Sequence, residues 1–227
     1  MPTKNRSTLL AWTAWSIIIA VIAADQLLKV WIKTHFYINE DYEITSWFHL
    51  HFVQNNGMAF GLDFLNKHVL TFLRLGLFGF LVWYIRQLCR RAWLPMGYMV
   101  SIALIAAGAF GNIIDCVCYG EIFTNPYPPM TAELVPWGDG YGGIFQGLVV
   151  DMLYFPLFSF TWPAWLPVIG GKVFSFFDPV FNIADVAISV GMISIVLFYF
   201  NMMEHSLEDE KPRKDTADSV SYTHLRA

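Results

Sequence analysis

"AGAFGNIID", residues 107–115, closes an apolar run of about twenty residues, a membrane-span length, with a carboxylate. A second carboxylate ends "FNIAD", residues 181–185, just where another apolar run opens. An acid at the mouth of one hydrophobic segment, answered by an acid at the mouth of the next, asks for a reason.

The class comes from composition. The chain is 56% hydrophobic, 17% aromatic and only 14% charged. Its mean hydropathy of +0.47 is too apolar for an ordinary soluble domain. The net charge of −4 and the lack of a basic stripe argue against nucleic acid. Cys89, Cys116 and Cys118 have no zinc-ligand spacing, so no metal or cofactor is expected.

Working outward, four segments are long and apolar enough to cross a bilayer: about Leu9–Ile32, Val69–Leu88, Met96–Ile114 and Val186–Met203. The first resembles a signal peptide in its Lys4 and Arg6, but its apolar character resumes after Asp25 and makes it long enough to span. Residues 152–171 are also uncharged, yet Pro156, Pro163 and Pro167 would each delete a helix donor. That stretch reads as an interfacial loop, rich in the Trp and Phe that favour the headgroup region.

Lys4 and Arg6, then Arg86, Arg90 and Arg91, then Lys211, Arg213 and Lys214 all fall on one side of a four-span chain. That side is expected to be cytoplasmic, with both termini inside and loops 34–68 and 116–182 outside. The third span then ends at Asp115 and the fourth begins near Asp185, so the two acids are expected to meet at the outer face. The fold expected is an all-α membrane protein of four transmembrane helices, with a small extracytoplasmic β-sheet and an extended outer loop. Residues 1–203 form one domain in this reading, and 204–227 a polar, disordered tail.

The sheet is expected from "SWFHLHFVQNNGMAFGL": Phe48, Leu50 and Phe52 alternate with polar neighbours, Asn55-Asn56-Gly57 supplies a turn, and Met58–Leu62 returns as a second strand. The loop 116–182, broken by prolines and glycines, gives no regular structure.

Asn112 and Asp115 are three apart, as are Asn182 and Asp185, a spacing that puts each amide one helical turn from its acid. Gly108 and Gly111 make a small-residue stripe for close helix approach. Carboxylates inside a membrane are costly and point to function, although acids at helix ends can also serve as caps. Two aspartates in contact share a proton, and one can then deprotonate water while the other polarises a carbonyl. Asp25 and Lys29, one turn apart, read as an ion pair. Paired acids also serve proton-coupled transporters, but those distribute carboxylates through the bilayer depth. A non-catalytic scaffold would have no use for the pair.

Five blocks in order, "DQLLK" (25–29), "NNGMAFG" (55–61), "GAFGNIID" (108–115), "VVD" (149–151) and "FNIAD" (181–185), resemble the signatures of bacterial lipoprotein signal peptidase, signal peptidase II. The resemblance covers about residues 9 to 200. It implies an aspartyl endopeptidase of the cytoplasmic membrane, with its site on the periplasmic side. That enzyme removes signal peptides from prolipoproteins whose cysteine carries diacylglyceryl. Catalytic Asp115 and Asp185 are implied, supported by Asp25, Lys29, Asn55, Gly57, Gly108, Asn112, Asn182 and Ala184, with membrane lipid as surroundings and globomycin-type cyclic peptides as inhibitors. Two positions depart from the family pattern. Cys116 stands where an arginine usually follows the acid, and Ala107 replaces the first of two glycines. A cysteine there must be offset by another cation or a hydrogen bond, so restoring arginine is expected to leave activity within about tenfold.

Overall fold

A computed structural model describes residues 2–55, 67–176 and 178–208. Gly57, the expected return strand Met58–Leu62 and the tail beyond residue 208 lie outside the described residues.

Four helices have the length and composition to cross a membrane: Asn5–His35, Thr71–Cys89, Met96–Ile122 and Ile183–His205. They match the four expected spans, and the proline-bearing stretch after Met152 is not a fifth. Their outward faces are apolar: Trp12, Ile19 and Leu27 on the first, Phe72, Leu77 and Phe80 on the second, Ile193, Leu197 and Phe198 on the fourth are all exposed. Water would not tolerate so much continuous apolar surface, whereas lipid does.

The third span is the most enclosed, because its composition allows neighbours close. A Cβ on Gly108 would lie 2.2 Å from the carbonyl oxygen of Ala184, so the third and fourth spans touch backbone to backbone there. On Gly111 it would lie 2.8 Å from Asp25 Oδ2, so that glycine opens the room into which the first span places its acid.

The third span differs from expectation at its end. The α-helix Met96–Ile114 does not stop at Asp115 but continues through a π-turn, Asp115–Tyr119, and a last turn, Gly120–Ile122. Asp115 is therefore inside the bundle, fully buried, rather than at the mouth. The π-turn leaves carbonyls for the loop that follows. Gly147 N–H donates to Cys116 O at 3.0 Å, and a Cβ on Gly147 would strike the Asp115 carbonyl at 1.9 Å.

A three-stranded antiparallel sheet, order β1-β2-β3, covers one end of the bundle: β1 Asp41–Thr45, β2 Phe48–Asn55 and β3 Val149–Tyr154. The alternating stretch is a strand, as expected, but its described partners are β1 and β3. Phe52, Val150 and Met152 from the sheet join Ile32, Phe36, Tyr119 and Phe123 in a second apolar core above the spans. Loop 116–182 is thus more regular than its prolines suggested. It supplies β3 and a separate hairpin, β4 Phe158–Thr161 with β5 Val173–Phe176.

Candidate active site

Lys29 organises the polar interior. On one turn of the first span, its Nζ lies 2.8 Å from Asp25 Oδ2, and 2.8 Å from Asp115 Oδ2 on the third. It also donates to Asn112 Oδ1 at 2.9 Å. An ammonium has three hydrogens, and all three are used. All four residues are buried, and a charge so placed persists only when paired in this way.

Asp115 is closed on every side. Gln26 Nε2 donates to its Oδ1 at 3.0 Å, and Val150 N–H to its Oδ2 at 3.2 Å. Tyr119 Oη in turn donates to Gln26 Oε1 at 3.0 Å. Asp25 accepts from Ala184 N–H at 2.9 Å, where the positive end of the fourth span favours an anion. Ala184 thus contributes its backbone and Gly108 the space beside it.

Asp185 belongs to a different constellation. Asn182 caps the fourth span: its Oδ1 accepts from Asp185 N–H at 2.9 Å, while Asp185 Oδ2 accepts from Asn182 N–H at 3.4 Å. The second Asn-x-x-Asp is therefore a reciprocal capping box, not two side chains on one helical face. The other oxygen of Asp185 accepts from Asn112 Nδ2 at 2.9 Å, and the residue is half-buried.

Among the described residues no hydrogen bond joins Asp115 to Asp185; Lys29 Nζ pairs with Asp115 and donates to Asn112, and Asn112 Nδ2 donates to Asp185. The carboxyl group that shares a site with Asp185 is Asp151, on β3. Asn182 Nδ2 donates to Asp151 Oδ1 at 2.6 Å, so one asparagine holds both acids. Asn55, at the end of β2, donates to Asp151 Oδ2. Asp151 is 3% exposed and has amide partners but no salt bridge among the described residues. Burial, and then the neighbouring charge of Asp185, push its carboxyl up to about 8.

Asp151 closes the block "VVD" (149–151), to which the sequence alone attaches no role. The available signal was an acid in the middle of an apolar strand, between Val150 and Met152. Gln26 and Tyr119 carried no such signal. Of the expected site residues, Asp25, Lys29, Gly108, Asn112, Asp115, Asn182, Ala184 and Asp185 form one connected network, and Asn55 joins it through Asp151. Chemically, the network offers a lysine-paired carboxyl, an acid favoured in its neutral form, and a more open carboxyl beside it.

A family model described as signal peptidase (SPase) II matches residues 17–201. Lipoprotein signal peptidases from two strains of Porphyromonas gingivalis are each 39% identical over 206 residues, covering 90% of this chain and 91% of theirs. The lipoprotein signal peptidase of Amoebophilus asiaticus is 36% identical over 82% of this chain and 77% of its own. Among solved structures, a bacterial membrane enzyme at 2.3 Å superposes with a TM-score of 0.56 at 22% identity, over 89% of this chain and 94% of that one. Another, at 1.9 Å, gives 0.53 at 24%, over 82% and 90%. These two speak for the fold.

Proposed function

The chain belongs to the signal peptidase II family, and from that premise we propose an aspartyl mechanism in which Asp151 and Asp185 are the acid–base pair. The family makes it a multi-span bacterial membrane protease acting on prolipoprotein signal peptides. The substrate is proposed to carry diacylglyceryl on its cysteine, and the site to face the outer side of the cytoplasmic membrane. Arg86, Arg90 and Arg91 lie at the bundle end away from the sheet, which argues for that side and for cytoplasmic termini. Reporter fusions after Met203 and within residues 120–148 should read inside and outside respectively. Globomycin-type cyclic peptides are expected to compete for the site.

The observation that carries the mechanism is Asn182 holding two carboxyl groups of unlike surroundings, Asp151 through its side-chain amide and Asp185 through its backbone N–H. Asp151, buried and favoured in the neutral form, is the acid; Asp185, more open, is the base. Asp185 takes a proton from water as its oxygen attacks the scissile carbonyl carbon, and Asp151 gives its proton to the carbonyl oxygen. When the C–N bond breaks, the proton on Asp185 passes to the leaving amine and Asp151 recovers its own. Lys29 compensates Asp25 and Asp115 so that neither adds its full charge to the pair. Asn112, bonded to both Lys29 and Asp185, ties this counter-ion cluster to the reacting carboxylate.

The test is single-turnover cleavage of a diacylglyceryl-modified prolipoprotein by purified protein, with Asp151→Asn and Asp185→Asn as the variants. Each is expected to remove cleavage almost completely, and the double variant to be no worse, because acid and base act as one unit. Substantial turnover by either single variant would sink the mechanism.

A further inference from the structure

The β4–β5 hairpin has no counterpart in the catalytic argument, and its surface is unusual. Its register sets Phe158 opposite Phe176 and Phe160 opposite Phe174. The first pair stacks at 4.8 Å, the second is tilted at 5.1 Å, and Trp162 closes the row edge-on, 4.8 Å from Phe160. All four phenylalanines are exposed. The turn beyond them presents Trp165 and Val168, the latter 87% exposed. Val168 has φ of 72°, a left-handed conformation that a β-branched residue rarely adopts. From residue 155 to 176 the sequence contains no acid, and Lys172 is its one cation.

Two short strands in water have little stability of their own, and an aromatic face this open would attract aggregation. The hairpin's attachment says what covers it instead. Phe155 at its base stacks on Phe48 at 4.9 Å and on Phe181 at 5.7 Å. Phe181 directly precedes the cap of the fourth span. Through Phe155 and Phe181 the aromatic surface runs on to the start of the fourth span, at the bundle end that carries the carboxyl groups.

We propose that the β4–β5 hairpin is a membrane-interface arm, its aromatic face and its tip seated in the headgroup–acyl boundary of the leaflet that the active site faces. Trp and Phe favour that depth, and Lys172 near the turn can reach a phosphate layer. The rings pack against one another along one face of a two-stranded ribbon, which suits a bilayer surface; an acyl chain of substrate would need a groove. Strands of four residues are too short to bury much of a second copy. An arm at this depth shares the layer in which a lipid-anchored substrate diffuses and braces β3, which carries Asp151. The inference rests on the spanning helices and not on the catalytic assignment.

The test uses the full chain with Cys89→Ser and Cys118→Ser, carrying Val168→Cys or Ala164→Cys labelled with an environment-sensitive fluorophore. Glu43→Cys on exposed β1 is the reference. In phosphatidylethanolamine–phosphatidylglycerol vesicles, both hairpin labels should be quenched several-fold more by lipids bearing a nitroxide high on the acyl chain than the β1 label. They should also be shielded from aqueous iodide. The same result is expected in an Asp185→Asn background, so failure of the catalytic reading leaves it untouched. Iodide quenching of the hairpin equal to that of the β1 label would overturn the proposal. So would shielding that arises only on adding a diacylglyceryl peptide, or only at high protein-to-lipid ratio, since substrate or a second copy would then be the occupant.

Discussion

Asp115 and Asp151 both neighbour Asn182's corner of the bundle, and their surroundings divide two jobs that composition alone leaves together. Asp115, fully buried at the end of the third span, has an ammonium at 2.8 Å and amide donors on both oxygens. Asp151, nearly as buried on β3, has amide donors and another carboxylate for company. A cation in contact compensates a buried carboxyl and ties it down, whereas burial beside a like charge favours the proton. Depth in the membrane does not make an acid catalytic; the sign of its nearest charge decides which role it can take.

The sharpest way to break this comparison is to exchange the two losses. Asp151→Asn should reduce single-turnover cleavage by several orders of magnitude while the protein inserts normally. Asp115→Asn leaves Lys29 paired with Asp25, so folded protein should retain measurable turnover. If Asp115→Asn is as dead as Asp151→Asn in folded, membrane-inserted protein, the division of roles is wrong.

Which parts of this were legible beforehand follows the physics of each signal. Apolar runs reported the four spans, because lipid demands about twenty such residues. Asp25 and Lys29 were legible because an i, i+4 pair is local. The cap function of Asn182 and Asp185 was visible in their spacing, though a helix-face reading competes with it. Asp151 was not read, because its meaning depends on β3 being carried back against the fourth span by a long loop. The π-turn that carries the third span on beyond Asp115 has no sequence period of its own. Nor did local alternation reveal that β2 pairs with residues 41–45, since turn chemistry at Asn55-Asn56-Gly57 pointed the other way.

The counter-ion side of the comparison should answer to stability rather than chemistry. Lys29→Met leaves Asp25 and Asp115 buried without their cation, which typically costs about 3–5 kcal/mol. Thermal unfolding in detergent should register that loss. Adding Asp115→Asn should recover part of it, a coupling that a double-mutant cycle measures directly. If the second change made matters worse by its full single-variant amount, Lys29 would not be acting through Asp115.

The proton side should answer to pH. Asp151 is raised from 3.8 to about 8, first by burial and then by the charge of Asp185. Its folded value lies above its unfolded one, so the native state holds a proton that the unfolded chain releases. Across that window rising pH lowers stability, and above about 8 the acid of the pair is lost. Cleavage should therefore fall on the alkaline side with an apparent value near 8 belonging to the pair. A rate still climbing at pH 9 would remove Asp151 from the acid role.

The smallest effect concerns how the locked side is held from the second span. Cys116, adjoining Asp115, accepts from Arg74 Nη1 at 3.3 Å through its Sγ. The offset expected for a cysteine at this position is thus supplied by a cation from another helix. An arginine introduced at 116 would meet that guanidinium, and like charges in a partly buried site repel. Cys116→Arg should accordingly lower kcat/KM by about tenfold, roughly 1.4 kcal/mol of transition-state stabilisation. The double variant Arg74→Met, Cys116→Arg restores one cation to the turn and should return to within a few-fold of the starting protein. Arg74→Met alone removes one donor to the thiol and should cost less than Cys116→Arg, since no charge is then opposed. Cleavage kinetics of the three variants decide the matter: if Cys116→Arg is harmless and removing Arg74 from it brings no gain, the guanidinium does not serve the turn that carries Asp115.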